Sequence, residues 1–416
     1  MSDMVVATAT ALALVAAFEA AVAGLIHWLK RRCPWIITPA DLEPTIDPNG
    51  LERFLAHGWD PELGWVRKPG TAHDETRQGG HATRYHIDGN GARRNPGFEG
   101  KPALVLAYGD SYTFCRHVND DETWPHALSR MLGGCVANHG VGNYGLDQAL
   151  LRLEREYDNH PAPVVIMGVV PETICRVLSS WKHFSEYGNI FAFKPRFVCE
   201  ADGGLTLLPN PADTPDTFFG IAEMLPRLKE QDFFFARKFA PDLLRFPYLW
   251  HLWRSRRRNL PLMGAALIDR FGGDGKHAFC RVMERNIDLT ATVYRESEPL
   301  DLLVAITERF AAFTRSRGAV PILVLLPQLH DLKLLRAGNY YYGHFLERIA
   351  GTLTAVDLGP DFAAEGDDAA NYVDDRFGGH MSARGNRLVA ERLVKALPRI
   401  RKMEQPTRDT LASKYH

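Results

Sequence analysis

What this chain lacks narrows its function before any motif is considered. Acids and bases nearly cancel, 50 against 49, leaving a formal charge of -1. No global field attracts nucleic acid or an acidic polymer, so no nucleic-acid partner is expected. The six cysteines are scattered and form no C-x-x-C pair, and no Cys/His cluster has zinc-finger spacing. They read as free thiols, and neither a metal nor another cofactor is expected. Internal repeats and low-complexity tracts are absent, which excludes solenoids and disordered linkers. What remains is 416 residues of ordinary globular composition, 45% hydrophobic and 24% charged, enough for one large domain or two modest ones.

One long apolar run is present, at the amino terminus. Residues 5–29 are mostly Ala, Val, Leu, Ile and Phe, interrupted by Glu19 and His27 and followed at once by Lys30, Arg31 and Arg32. The length suits a membrane span, whereas a carboxylate near its middle is costly in lipid. A basic start and a small-residue cleavage site, the marks of a secretory signal, are missing. Three readings stand: a single anchor helix, a helix lying in the interface, and a soluble amphipathic helix. If residues 1–32 anchor the chain, the basic cluster after them predicts a main domain on the cytoplasmic side, with the extracytoplasmic side as the alternative.

Residues 33–100 form a preface dense in Pro, Gly, Asp and Asn, which predicts short strands joined by tight turns. From residue 101 the pattern changes to alternating strands and helices. "ALVLAY" (103–108), "CVANHG" (135–140) and "PVVIMGVV" (163–170) read as strands, separated by helical spacing in "ETWPHALSRML" (122–132) and "LDQALLRLEREY" (146–157). Unbroken apolar strands in this rhythm imply βαβ units and a parallel sheet buried on both faces. The rhythm stops after residue 178 and resumes near 300. There a helix (299–318), a strand "VPILVLLP" (320–327), a helix (343–353), a short strand (354–359) and a final helix (382–400) complete it, before a tail at 401–416. The α/β core thus occupies 101–178 and 300–400. Residues 179–299 form a helical, aromatic and basic insertion, exemplified by "WHLWRSRRRN" (250–259). Its aromatics suit a core, a lid over the site, or a face resting on a membrane.

In an open parallel sheet, ligands bind beyond the carboxyl ends of the strands. The candidates for chemistry fall at such ends. "GDS" closes the first strand, so Ser111 is either a turn residue or a nucleophile that needs a base to take its proton. The second strand runs into "NHGVGNYG", whose glycines leave backbone amides open. An amide near Gly142 or Asn143 could join that of Ser111 around an oxyanion. Glu172 follows the third strand, either as a helix-start carboxylate or as a group that positions substrate or water or moves a proton. Asp110, beside the serine, completes the set of oxyanion-hole or substrate-binding candidates. His380 lies in a Gly-rich loop before the last helix, with Asp374 and Asp375 just upstream. A histidine there can serve Ser111 as general base, with an acid fixing its tautomer.

Three blocks, "YGDSYTF", "NHGVGNYGLDQALLRLE" and "GGHMSARGNRLVAERL", occur in this order and together resemble the SGNH/GDSL-type serine hydrolases. The resemblance covers the core and neither the preface nor the insertion. It implies a flavodoxin-like three-layer α/β/α sandwich with a five-stranded parallel sheet. It also implies an esterase or acyltransferase acting without metal on a small-molecule or glycan acyl ester, through a Ser111 acyl-enzyme. Two positions depart from the family pattern. Glu172 stands where an oxyanion-hole asparagine is expected, and Phe377 stands where the histidine's usual Asp is expected, three residues before His380. The alternative reading is a catalytically impaired relative that binds a glycan or serves in a membrane-associated assembly.

Overall fold

The structure is a computed structural model that describes residues 2–76, 82–200, 204–272, 275–373 and 379–396. Its contacts divide the chain into two compact units. One holds residues 56–177, 195–208 and 289–416, and the other holds 1–55, 178–194 and 209–288.

The first unit is built on five strands: β1 (Ala103–Gly109), β2 (Cys135–Gly140), β3 (Val164–Val169), β4 (Val320–Leu325) and β5 (Thr354–Asp357). Every pairing among them is parallel, and the order across the sheet is β2-β1-β3-β4-β5. This is the flavodoxin-like doubly wound order, with its switch point between β1 and β3. Side chains alternate across the strands. Val105, Ala107, Ile166, Ile322 and Val324 therefore share one apolar face, packed with Trp124 and Leu128 of α2 (Trp124–Leu132) and Val389 and Leu393 of α7 (Ala383–Ala396). The opposite face is covered by α3 (Leu146–Glu156) and α6 (Ser297–Ser316), which pack on the sheet and on each other. The result is a three-layer α/β/α sandwich. The strands read as continuous apolar runs because both faces are covered.

The second unit gathers α1 (Ser2–Lys30), α4 (Tyr248–Arg254) and α5 (Arg256–Phe271). Ile26 and Leu29 of α1 pack with Leu244 and with Leu262, Met263, Ala265 and Ala266. The earlier part of α1 is exposed, and the helix from Met4 to Lys30 as a whole is long and apolar enough to cross a membrane, a property it shares with signal sequences.

One stretch of the preface differs from the turns its composition suggests. Residues Pro48–His57 form a helix, because Asp47 caps it: Gly50 N–H donates to Asp47 Oδ2 at 3.0 Å and Leu51 N–H to Asp47 O at 2.9 Å. Pro, Asn and Gly, which look like turn residues, here occupy the first helical positions, where Pro costs nothing. The remaining preface does form short hairpins, Trp59–Asp60 with Gly64–Trp65 and Ala72–Thr76 with Ala82–His86.

Candidate active site

Ser111 opens a single helical turn, Ser111–Phe114, directly after β1. Asp110 caps that turn by accepting from Tyr112 N–H at 2.8 Å, and its second oxygen accepts from Val170 N–H at 2.9 Å. Thr113 Oγ1 donates to Gly168 O at 2.7 Å. The turn is thereby tied to the end of β3, across the switch point. Such close packing demands glycine. A Cβ on Gly109 would lie 1.8 Å from Gly168 O, and one on Gly140 would lie 2.2 Å from Phe114 N.

His380 Nε2 lies 3.0 Å from Ser111 Oγ, and both side chains are buried. The histidine is held by neighbours from the serine's own segment. Tyr112 Oη donates to Gly379 O at 3.1 Å, and its ring lies 4.9 Å from the imidazole. The buried His117 ring meets His380 edge-on at 5.4 Å. Behind the histidine, Val373 N–H donates to His380 O at 2.8 Å, fixing the loop's base. Asp374, Asp375 and Phe377 lie outside the described residues.

Gly109 is paired with Gly140 in the β1–β2 register, so Ser111 and Gly142 each lie two residues beyond a matched position. The backbone N–H groups of Ser111, Gly142 and Asn143 donate to no acceptor among the described residues. Asn143 adopts a left-handed φ of 67°, as do Cys115 (61°) and His117 (66°). Left-handed non-glycine residues are uncommon, and two of these three, Cys115 and His117, directly follow the Ser111 turn. The β2 loop is pinned from the preface, where Trp65 Nε1 donates to Gly142 O at 2.9 Å and Tyr144 Oη donates to Trp65 O.

Glu172 is buried and does not stand alone. Arg176, one helical turn later, donates from Nη2 to Glu172 Oε2 at 2.9 Å and from Nη1 to Asp110 Oδ2 at 3.1 Å. The same Nη1 donates to Tyr144 O at 3.2 Å. One guanidinium thus balances two of the candidate carboxylates. A further buried acid, Asp331, follows β4 and accepts from Gln328 N–H at 2.7 Å and Tyr341 Oη at 2.8 Å. Burial pushes its carboxyl up to about 7 despite those hydrogen bonds, and the negative charges of Glu172 and Asp357 add to the effect.

Several residues of this site escape a reading of the sequence. Arg93 of the preface is buried and donates to Phe114 O, Cys115 O, Val118 O and Asp120 Oδ1, bracing the chain just after the serine. Arg93, Tyr112 and His117 act through contacts distant in sequence or through backbone conformation, and no local pattern marks them. Arg176 alone leaves a signal, the Glu-x-x-x-Arg spacing of a helical ion pair. Among the described residues, no three His, Cys, Asp or Glu side chains gather as a metal site.

No family model matches this chain, and no curated protein matches it. Solved structures with some likeness include an acetylxylan esterase from Geobacillus stearothermophilus, studied as a catalytic mutant. It is 12% identical, covers 72% of this chain and 94% of its own, and has a TM-score of 0.35. The acetyl xylan esterase AlAXEase is 11% identical over 70% of this chain and 98% of its own, at 0.34. A lipolytic protein of the G-D-S-L family from Desulfitobacterium hafniense is likewise 11% identical, over the same shares, at 0.29. The functional reading rests on the geometry around Ser111 and not on these likenesses.

Proposed function

We propose that this chain is a serine esterase or acyltransferase that works through a Ser111 acyl-enzyme. The observation that carries the reading is the 3.0 Å approach of His380 Nε2 to Ser111 Oγ at the carboxyl end of β1, where doubly wound sheets bind ligands. In this reading Ser111 Oγ attacks the acyl carbonyl carbon while its proton passes to His380 Nε2. The tetrahedral oxyanion accepts from the N–H groups of Ser111 and of Gly142 or Asn143. Collapse breaks the ester C–O bond, and His380 returns the proton to the departing alkoxide. A water or acceptor hydroxyl then attacks the acyl-enzyme by the same route in reverse. Asp374 or Asp375 would orient the imidazole.

The pairing of Glu172 with Arg176 bears on whether the oxyanion hole can work. A bare carboxylate facing the oxyanion would oppose the transition state, whereas an ion-paired one is largely neutralised. The substrate class is a carboxylic ester, and an acyl group on a glycan hydroxyl is the first to test.

A fluorophosphonate probe should label the folded wild type and leave Ser111→Ala unlabelled. His380→Ala should slow ester hydrolysis by about 10³-fold or more. Folded wild-type protein that resists the probe, or Ser111→Ala that still labels, would overturn the proposal.

A further inference from the structure

The unit formed by residues 1–55, 178–194 and 209–288 contains a surface that the ester chemistry does not explain. On α1, Val5, Leu12, Val15 and Phe18 are exposed, whereas Ile26 and Leu29 are buried against α5. Every residue from Met4 to Phe18 is exposed, and from Glu19 onward half-buried and then buried residues alternate with exposed ones. Glu19 is the carboxylate that makes the helix costly as a span. That carboxylate has partners: Glu19 Oε2 accepts from Tyr248 N–H at 2.6 Å and Oε1 from Leu249 N–H at 3.1 Å, at the start of α4. Glu19 is therefore tied to α4 at one depth along the helix.

That depth can be estimated. The exposed stretch from Met4 through Phe18 rises about 22 Å at 1.5 Å per residue, short of the roughly 30 Å hydrocarbon core. A bilayer around this stretch reaches past Glu19 and brings α4 to its edge. What α4 and the residues flanking it present there fits that location. Phe246, Trp250 and Trp253 are 72%, 54% and 57% exposed, and the two indoles stack with centroids 5.4 Å apart. Exposed Arg254, Arg256 and Arg257 follow, Arg256 lying over the Trp253 ring at 4.9 Å. From residue 245 to residue 268 the chain contains no Asp or Glu. Exposed indoles beside arginines with no acid in the same stretch of chain match the boundary between acyl chains and anionic headgroups.

We propose that α4 and the turn into α5 form a collar that seats this unit in an anionic lipid headgroup layer, at the level of Glu19 on the anchor helix. Trp250 and Trp253 lie at the headgroup–acyl boundary, and Arg254, Arg256 and Arg257 contact lipid phosphates. The occupant is lipid, and the collar belongs to the unit that does not carry Ser111.

The test uses the full chain in nanodiscs of phosphatidylcholine with and without phosphatidylglycerol. Lipids brominated near the headgroup should quench a component of tryptophan emission, and that component should vanish in the Trp250→Phe/Trp253→Phe double variant. Equal quenching of wild type and double variant would overturn the proposal. So would undiminished quenching by aqueous iodide after reconstitution, which leaves the face to a protein partner. A second measurement needs no variant. Trypsin cleavage after Arg254, Arg256 and Arg257 should be several-fold slower in nanodiscs containing phosphatidylglycerol than in neutral ones, and equal rates would refute the lipid contact.

Discussion

Arg176 is the residue on which the charge balance of the candidate site depends. Asp110 and Glu172 are both buried, and the single guanidinium between them satisfies one oxygen of each. Removing one partner of a buried pair typically costs about 3–5 kcal/mol, because the remaining charge is left uncompensated. Arg176→Met should therefore lower the urea midpoint markedly, and adding Glu172→Gln should recover part of the loss. A double variant no more stable than Arg176→Met would show that Glu172 does not depend on this arginine. At this scale Ser111 and His380 stood out in the sequence as candidates, Ser111 because an apolar strand gives way to turn residues there and His380 because it lies in a Gly-rich loop before the last helix. Arg176 was legible only as a helical spacing, and the carboxylates it balances come from the ends of two different strands.

The elements that build the site approach one another too closely for ordinary side chains. Gly140 ends β2 against the backbone of the Ser111 turn, where a Cβ would lie 2.2 Å from Phe114 N and 2.7 Å from Thr113 C. Backbone atoms have no rotamer with which to retreat. Gly140→Ala should cost about 3 kcal/mol or more and sharply reduce fluorophosphonate labelling by shifting the turn. Unchanged Tm and labelling rate would mean that the turn has more room than this packing allows. The strands were readable as elements because burial on both faces leaves an unbroken apolar run. The helix Pro48–His57 was not, since the cap that starts it relies on the very residues that mark turns. The bracing of the Ser111 turn by Arg93 and of the β2 loop by Trp65 was equally hidden, because those contacts join the preface to strands much later in the chain.

Across the whole molecule, stability should carry a pH signature from Asp331. Its folded pKa, raised to about 7, lies above the ordinary unfolded carboxylate value, so the folded state holds the proton more tightly. Stability is then greatest below about pH 4 with respect to this group and falls as pH rises to about 7, by up to ~1.4 kcal/mol per unit. Asp331→Asn carries no such charge. The stability difference between variant and wild type should shift in the variant's favour between about pH 5 and about pH 8, read from urea midpoints. An identical difference at both pH values would refute the assignment.

The chain's own order of residues determined the alternation of strand and helix, the apolar amino-terminal run and the placing of Ser111 just past a strand end and of His380 in a Gly-rich loop. These are local properties, set by hydrophobic periodicity and turn chemistry. Only the tertiary structure decided that Glu172 is paired, that Glu19 caps α4, and that residues 1–55 share a compact unit with parts of the later insertion. Each of these depends on which distant segments meet. A charge or an amide finds its partner through packing in space, and the local sequence around Glu19 holds no trace of the α4 amides that it caps.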